Sequence, residues 1–306
     1  MKRILVIGST NIDNVATVEH HPVAGETIIS RDYSQHFGGK GANQAYAAGR
    51  LGGNAAFLGA VGADGQGEAA LAHLRGANVD TSAVAIIEGS PTGMAMIVVN
   101  AKGENNIVVM PGANAKLVPE RIRAARRAIE AADVILLQLE IDIEGVWEAI
   151  RIADSLGKTI VLDPAPAVFI PEDILKAVTF LTPNESELKL LTGLPVDTDD
   201  EVCVAARKLL GQGVRNVLVT RGEKGSILVN KEGVAAYPSY PVRPVDTTAA
   251  GDTFNAAFGV MLANEKQSIQ AAICFASAAA AVSTTRIGAQ ESVPAIEEVY
   301  ELLNRN

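Results

Sequence analysis

The sequence predicts an α/β protein, a doubly wound and mainly parallel sheet flanked by helices with a small β-sheet lid. Three observations predict it. From Val118 onward the patterning alternates: helix Pro119–Ala131, strand Val134–Leu139, helix Ile143–Ser155, strand Thr159–Leu162, a short helix near Pro171–Lys176, strand Thr179–Leu181, helix Glu201–Leu210 and strand Asn216–Thr220. Such alternation calls for parallel strands joined by right-handed crossovers. Apolar runs such as Ile4–Ile7 are continuous, as strands buried on both faces require. Finally, a composition rich in Ala, Gly and Val with only 4% aromatic residues fits close packing of helices on a sheet.

Taken in order, Ile4–Ile7 reads as a central first strand that ends in Gly8-Ser-Thr-Asn-Ile-Asp13. Asn11 and Asp13 share a face if the strand continues, presenting an amide and a carboxylate together to a polyhydroxylated ligand; a simple turn is the other reading. Residues 15–37 do not read as βαβ, with β-like pieces at Glu26–Ser30 and Asp32–His36, and a second β-rich block covers Thr92–Val99 and Asn105–Met110. We expect the two blocks to meet as a small sheet, serving as a lid, a dimer interface or both. The whole chain, 1–306, is then a single α/β domain with lid segments at about 14–37 and 92–110. Between the blocks, Phe37-Gly-Gly-Lys-Gly-Ala-Asn43 leads into a helix through Ala45, Ala48 and Leu51. Its glycines permit close backbone approach, while Lys40 and Asn43 add a charge and an amide on the first turn. Ala55–Val61 reads as one strand, followed by a helix around Leu71–Leu74.

Charge and composition exclude several classes. A net charge of -9 without a basic cluster argues against nucleic acid and against an anionic membrane surface. No apolar run reaches the length of a membrane span, and the short run after Met1-Lys-Arg3 turns straight into a polar segment, so a cytoplasmic protein is expected. Cys203 and Cys274 have no metal-like spacing and read as buried reduced thiols. His20, His21, His36 and His73 show no triad or metal pattern and are expected on the surface or the lid.

Polar residues follow the strands, where a doubly wound sheet places its site. Gln138-Leu-Glu140, Asp163-Pro164 and Thr182-Pro-Asn-Glu-Ser-Glu187 end three of them. Asn184 and Glu187 lie three apart, suited either to the water shell of Mg²⁺ or to a helix capping box. Thr220-Arg-Gly-Glu-Lys-Gly225 offers a hydroxyl, glycines and basic side chains to a nucleotide's outer phosphates, or turns a hairpin into Ser226–Asn230. The stretch Val245-Asp-Thr-Thr-Ala-Ala-Gly-Asp-Thr-Phe-Asn255 opens a helix on small residues, so its N–H groups can approach an anion. Asp252 in that turn is placed to take a proton from an attacking alcohol, or merely to cap the helix.

Gly38-Gly-Lys-Gly-Ala-Asn43, Thr182-Pro-Asn-Glu185 and Asp246-Thr-Thr-Ala-Ala-Gly-Asp-Thr-Phe-Asn255, in that order, resemble the motifs of the ribokinase family of carbohydrate kinases, and the resemblance runs over essentially the whole chain. It implies transfer of the ATP γ-phosphoryl group to the 5-hydroxyl of ribose, with Asp252 as base and the Ala250 and Gly251 N–H groups on the transferring phosphoryl. It assigns Asn11, Asp13, Gly39, Lys40, Asn43 and Glu140 to the sugar, and Thr220, Gly222, Gly225, Gly251 and Ser277 to the nucleotide. Asn184 and Glu187 would support Mg²⁺ and phosphate. Asp246, Thr248, Ser283, Arg286, Gly288 and Ser292 match a potassium site, most of them through backbone carbonyls. A homodimer through the lid is the family's habit. Thr248 and Ser277 stand where members can carry an apolar residue and a histidine, away from the chemistry. Met94, Met96 and Met110 are expected in the sugar-facing wall of the lid. Deoxyribose, a ketohexose or a nucleoside is the alternative acceptor, and a non-catalytic sensor on the same fold is the alternative class.

Overall fold

The continuous apolar runs divide their side chains between two cores. Leu5 and Ile7 face one core with Ala56, Leu58, Ile135, Leu137, Ile160 and Leu162, whereas Ile4 and Val6 face the other with Ala55, Phe57, Val134, Leu136 and Val161. Every residue of such a strand is buried, and each Leu or Ile contributes about 1.5–3 kcal/mol of burial, which is why no polar alternation is visible in the sequence.

The computed structural model describes residues 2–305. In chain order the strands are β1 Arg3–Ile7, β2 Asn11–Thr17, β3 Asp32–Gly38, β4 Asn54–Leu58, β5 Ala60–Gly62, β6 Ala85–Ile87, β7 Gly93–Val99, β8 Asn105–Met110, β9 Val134–Leu137, β10 Thr159–Leu162, β11 Phe180–Leu181, β12 Asn216–Thr220, β13 Ser226–Asn230 and β14 Gly233–Tyr237. The helices are α1 Lys40–Arg50, α2 Gly65–Gly76, α3 Pro119–Ala124, α4 Arg126–Ala131, α5 Ile143–Ser155, α6 Glu172–Ala177, α7 Glu185–Thr192, α8 Asp199–Gly211, α9 Ala250–Leu262, α10 Ile269–Ser283 and α11 Ile296–Arg305. Helices α3 to α8 cover the first core and α1, α2, α9, α10 and α11 the second. Among the described residues, no helix is long and apolar enough to cross a membrane.

The main sheet runs β14-β13-β12-β11-β10-β9-β1-β4, parallel from β4 to β12 and closed at one edge by the antiparallel β12-β13-β14 meander. Strand β1 lies between β4 and β9, so the chain winds away from it in both directions. A crevice forms at the carboxyl ends of strands where the order reverses. Ser9 and Thr10 follow β1 there, and Gln138 to Glu140 follow β9.

Four strands form the separate small sheet, β3-β2-β7-β8, in which β2 pairs β7 in parallel and so joins the two β-rich blocks. Its register corrects the expectation for the methionines. Asp13 sits beside Ala95 and His36, and Ala95 beside Val109, whereas Met94 pairs with Ile12 and Met110, and Met96 with Asn14. Residues paired across a sheet share a face, so the methionines lie on the face opposite Asp13. Ala95, Val109, Ile97 and Ile107 line the face that Asp13 shares.

Other departures have local causes. Ala55–Val61 is two strands rather than one, because the chain leaves the main sheet at Gly59 and β5 pairs with β6. The helix over 119–131 breaks at Ala125, and Thr179 precedes β11 rather than belonging to it. Glu26–Ser30 has no strand partner among the described residues, and β14 is an element the patterning did not indicate. His73 is neither on the lid nor free on the surface: its ring is half-buried and stacked between Phe37 (4.3 Å) and Tyr46 (4.7 Å). Cys203 and Cys274 are free thiols, half-buried rather than buried.

Candidate active site

Helix α1 starts without a side-chain cap and docks its first turn on the chain leaving β1. Lys40 N–H donates to Glu140 Oε2 (3.0 Å) and Ala42 N–H to the Ser9 carbonyl (2.8 Å), while Ser9 Oγ donates to the same Glu140 oxygen (2.6 Å). A carboxylate thus sits at the positive end of the helix. The approach demands glycine at two positions. Gly39 takes φ +85° with its Cβ position 2.8 Å from Thr10 Cα, and a Cβ on Gly41 would lie 2.5 Å from the Gly8 carbonyl carbon.

This docking aims Asn43 and Gln44 at α9. Ala249, the residue before α9, adopts the left-handed conformation (φ +56°, ψ +16°), an arrangement that costs on the order of 1–3 kcal/mol for a residue with a Cβ. The turn leaves the N–H groups of Gly251 and Asp252 without an acceptor among the described residues, while Ala250 N–H contacts the Thr247 carbonyl (3.2 Å). Gly251 is therefore the open donor of the expected pair, and Asp252 N–H joins it. The Asp252 side chain is not the helix cap. It is 5% exposed, its Oδ2 accepting from Asn43 Nδ2 (2.9 Å) and its Oδ1 from Gln44 Nε2 (3.1 Å).

Behind these amides stand residues that sequence reasoning did not assign. Gln290 Nε2 donates to Asn43 Oδ1 (3.0 Å), Gln138 Nε2 to Gln44 Oε1 (2.6 Å), and Gln44 Nε2 also to Asp163 Oδ2 (3.0 Å). The available signal was an amide pair, Asn43-Gln44, in an otherwise Ala/Gly-rich helical stretch that had to be buried.

Asn11 and Asp13 lie on one face of β2. Asn11 Oδ1 accepts from Asn114 Nδ2 (2.8 Å), and Asn114 also brackets the Thr10 N–H and carbonyl (3.0 Å each), so Asn11 presents its amide N–H₂ outward. Burial, then the negative charge of Glu140, raises the Asp13 carboxyl to about 6, with His36 acting in the opposite direction. Lys40, half-buried, is raised above the ordinary lysine value by the charge of Asp252 first, then of Asp163, Glu140 and Glu187, against its own burial.

Asn184 and Glu187 form the capping box of α7: Glu187 N–H donates to Asn184 Oδ1 (2.8 Å) and Asn184 N–H to Glu187 Oε2 (2.9 Å). The Asn184 oxygen is thereby committed to the helix, whereas Glu187 Oε1 remains free to meet a cation, and burial raises this carboxyl above its usual range. Among the described residues no three His, Cys, Asp or Glu side chains form a metal-holding group. One free carboxylate oxygen of this kind fits Mg²⁺, which keeps most of its waters and takes further ligands from phosphates.

Thr220, Gly222, Gly225, Ser277, Ala250 and Gly251 come together as the lining of one cavity of about 620 Å³, with Tyr240, Val242 and Ala281 on its apolar wall. The basic side chains expected there are engaged elsewhere. Arg221, with 5% of its side chain exposed, turns inward to Glu185 and Asp199 (2.9 Å each), and Lys224 also pairs with Glu185 (3.3 Å). They brace the turn instead of reaching into the cavity.

The six residues matched to a potassium site also converge in part. Asp246 accepts from Thr248 N–H (2.9 Å), Thr248 Oγ1 (2.6 Å) and Gly288 N–H (2.9 Å). Burial alone would raise the Asp246 carboxyl, and these donors outweigh it and hold the group below its ordinary value. The Ser283 and Ser292 hydroxyls donate to the Ala280 and Ala289 carbonyls (2.8 and 2.9 Å), and Arg286 pairs with Glu298. The side chains of this loop are thus engaged in tying it together.

Comparison with known proteins places the chain in context. A family model described as pfkB family carbohydrate kinase matches residues 1–296. A protein named ribokinase from Bacillus subtilis is 40% identical over 304 residues, covering 99% of this chain and 100% of the relative. One named deoxyribokinase from Salmonella typhi is 36% identical over 304 residues, covering 99% of each. Among solved structures, ribokinase from Arabidopsis thaliana complexed with ribose and ATP superposes with a TM-score of 0.94 at 34% identity, covering 99% of this chain and 98% of that one.

Asp13 supplies a titration test. Its folded-state value of about 6 lies above the ordinary 3.8, so the folded chain binds this proton more tightly than the unfolded one. The ionised group therefore costs stability above pH 6, and that cost disappears as the pH falls toward 3.8. Ligand binding runs the other way, because the carboxylate accepts strongly from hydroxyls at both oxygens, whereas protonation removes the charge and turns one oxygen into a donor. Affinity for a polyol measured by calorimetry should fall as the pH drops through about 6, and a flat profile between pH 5 and 8 would remove Asp13 from the binding site.

Proposed function

The chain belongs to the pfkB family of carbohydrate kinases, and we propose that within it the protein is a ribose kinase, transferring the γ-phosphoryl group of ATP to the 5-hydroxyl of D-ribose. One observation carries this reading. The Asp252 carboxylate, held at both oxygens, stands one residue from a free Gly251 N–H that opens into a nucleotide-sized cavity, with Asn11 and Asp13 on the neighbouring sheet.

Asn11 and Asp13 hold hydroxyls of the sugar, and Glu140, Lys40 and Gly39 shape the floor beneath it. Asp252 accepts the proton of the attacking hydroxyl while Asn43 keeps its carboxylate in line. The Gly251 and Asp252 N–H groups, at the positive end of α9, face the charge that develops on the transferring group. Glu187 would hold Mg²⁺ through its waters, and that ion, when bound, neutralises charge between the outer phosphates. The cavity lined by Thr220, Gly222, Gly225 and Ser277 takes the nucleoside part. No covalent enzyme intermediate is required, and the catalysis is positioning plus electrostatics. The backbone carbonyls around Asp246, Gly288 and Ser292 would hold a potassium ion, whose charge would stiffen the loop beside α9. The setting is cytoplasmic, in keeping with two free thiols.

We also propose that the small sheet serves both as a lid over the sugar and as the interface of a homodimer. Support comes from β8, an edge strand exposed throughout, with Ile107, Val108 and Val109 more than half exposed; an apolar edge of this kind invites pairing.

ADP release with Mg-ATP, measured against ribose, 2-deoxyribose, fructose, tagatose and adenosine in potassium and in sodium, tests the acceptor and the ion together. Ribose should turn over fastest, and faster in potassium. Preference for 2-deoxyribose would transfer the protein to the activity named for its Salmonella typhi relative, and binding without turnover would make it a sensor. Asp252→Asn should lower turnover about 10²- to 10⁴-fold, the usual size of a general-base effect; a near-normal rate would end the assignment of Asp252 as base. Sedimentation equilibrium should give twice the 31.9 kDa chain mass, and a concentration-independent monomer would sink the dimer.

A further inference from the structure

The Gln44 side chain is fully buried and touches three others. Its Nε2 lies 3.1 Å from Asp252 Oδ1 and 3.0 Å from Asp163 Oδ2, and its Oε1 lies 2.6 Å from Gln138 Nε2. The polarity of this amide is dictated by its surroundings. Two carboxyl groups stand on one side, and the Asp252 carboxylate only accepts, so the end facing them must be the N–H₂ group, whose second donor meets Asp163. The oxygen then faces Gln138, itself fully buried, whose nitrogen must point back. Asn43 is fixed on the other carboxylate oxygen by the same logic, its Oδ1 receiving Gln290 Nε2 so that its Nδ2 must donate to Asp252.

A carboxylate in the third position of a helix has two free torsions. It can rotate so that its oxygens face the helix N–H groups, as a capping group does, or hold them toward a ligand. With Asn43 alone, Asp252 could still turn about the bond to Oδ2. The second donor, on Oδ1, removes that freedom and fixes the plane of the carboxylate. Gln44 has no route to the sugar, because both ends of its amide are occupied by buried protein groups.

We infer that Gln44 is a positioning residue for the proton transfer: it sets the plane of the Asp252 carboxylate, and Gln138 sets the polarity of Gln44. This inference rests on Asp252 being the base, and the test separates the two. Gln44→Met keeps the length of the side chain and removes its donors. It should lower kcat about 10- to 100-fold, the order of effect that a small misplacement of a reacting group produces, with KM for sugar and for Mg-ATP within about threefold of the parent. A residue acting through the base loses its effect once the base is gone. In an Asp252→Asn background, Gln44→Met should therefore change the residual rate by less than about threefold. Equal losses in both backgrounds would make Gln44 a structural residue and overturn the inference, as would a parent-like kcat or a loss confined to KM. If Asp252→Asn alone is active, the base assignment fails first, independently of Gln44. Should Gln44→Met not fold, Gln138→Met is taken through the same cycle. It should show the same non-additivity with a smaller loss, and additive losses there would equally overturn the inference.

Discussion

A carboxylate buried among apolar helices needs donors on both oxygens, and the way Asp252 obtains them organises the site. The donors come from α1, not from α9, so the two helices must be locked in register across the second core. Small residues make this possible, with Ala45 and Ala48 of α1 and Ala256 and Ala257 of α9 buried in that core. Gly41 lets α1 settle onto the backbone leaving β1. Any side chain that lifted α1 off β1 would withdraw Asn43 and Gln44 from Asp252. The glycine-rich segment before α1 is thus as much a docking joint as a binding loop.

The same geometry concentrates negative charge. Glu140, Asp163, Glu187 and Asp252 surround one lysine, Lys40, and Asp13 adds its charge beside Glu140. Burial raises Asp13, Asp163 and Glu187, and the acidic neighbours raise Lys40. A site so acidic would repel a bare nucleotide from a chain already carrying a net charge of -9. It suits one that arrives with a divalent ion between its phosphates, met by the open N–H groups at the start of α9. The inward turn of Arg221 fits this division of labour, since phosphate charge is left to the ion and the helix end while the guanidinium braces the turn between Thr220 and Gly225.

Sequence patterning made the main sheet legible because burial on both faces leaves a simple mark, an unbroken apolar run. It also located the strand ends that carry Glu140, Asp163, Asn184 and Thr220. Three things escaped it for physical reasons. The split at Gly59 turns on which sheet each half joins, a long-range choice that a local apolar run does not encode. The face of the methionines depends on the register between β2, β7 and β8, and a shift of one residue reverses it. The amide network is assembled from Gln44, Gln138 and Gln290, which are far apart in sequence and meet only through the α1–α9 packing and the loop after α10. Asn184 and Glu187 show the converse, since their spacing was equally compatible with a metal shell and a capping box, and the structure builds the box while leaving Glu187 one oxygen to spare.

The groups assigned to the sugar are divided between two bodies. Asn11 and Asp13 belong to β2 of the small sheet, whereas Asp252, Asn43 and Glu140 belong to the main sheet and its helices. A ligand bonded to Asp13 and Asp252 at once therefore spans the two, and its binding energy resists their separation. Strand β2 begins only four residues after β1 ends, and Asn114 clamps the intervening Thr10 while holding Asn11. The small sheet is thus tied to the main one at Asn11, with Val109 level with Asp13 and with Ile97 and Ile107 two residues farther out on the same face. On the proposed reading of the small sheet as a lid, contacts near that tie would fix hydroxyls held in common by related sugars, and contacts farther out would depend on how completely the sheet closes. On that proposed reading, discrimination between acceptors as alike as ribose and its deoxy form would turn on closure as well as on the residues at the crevice.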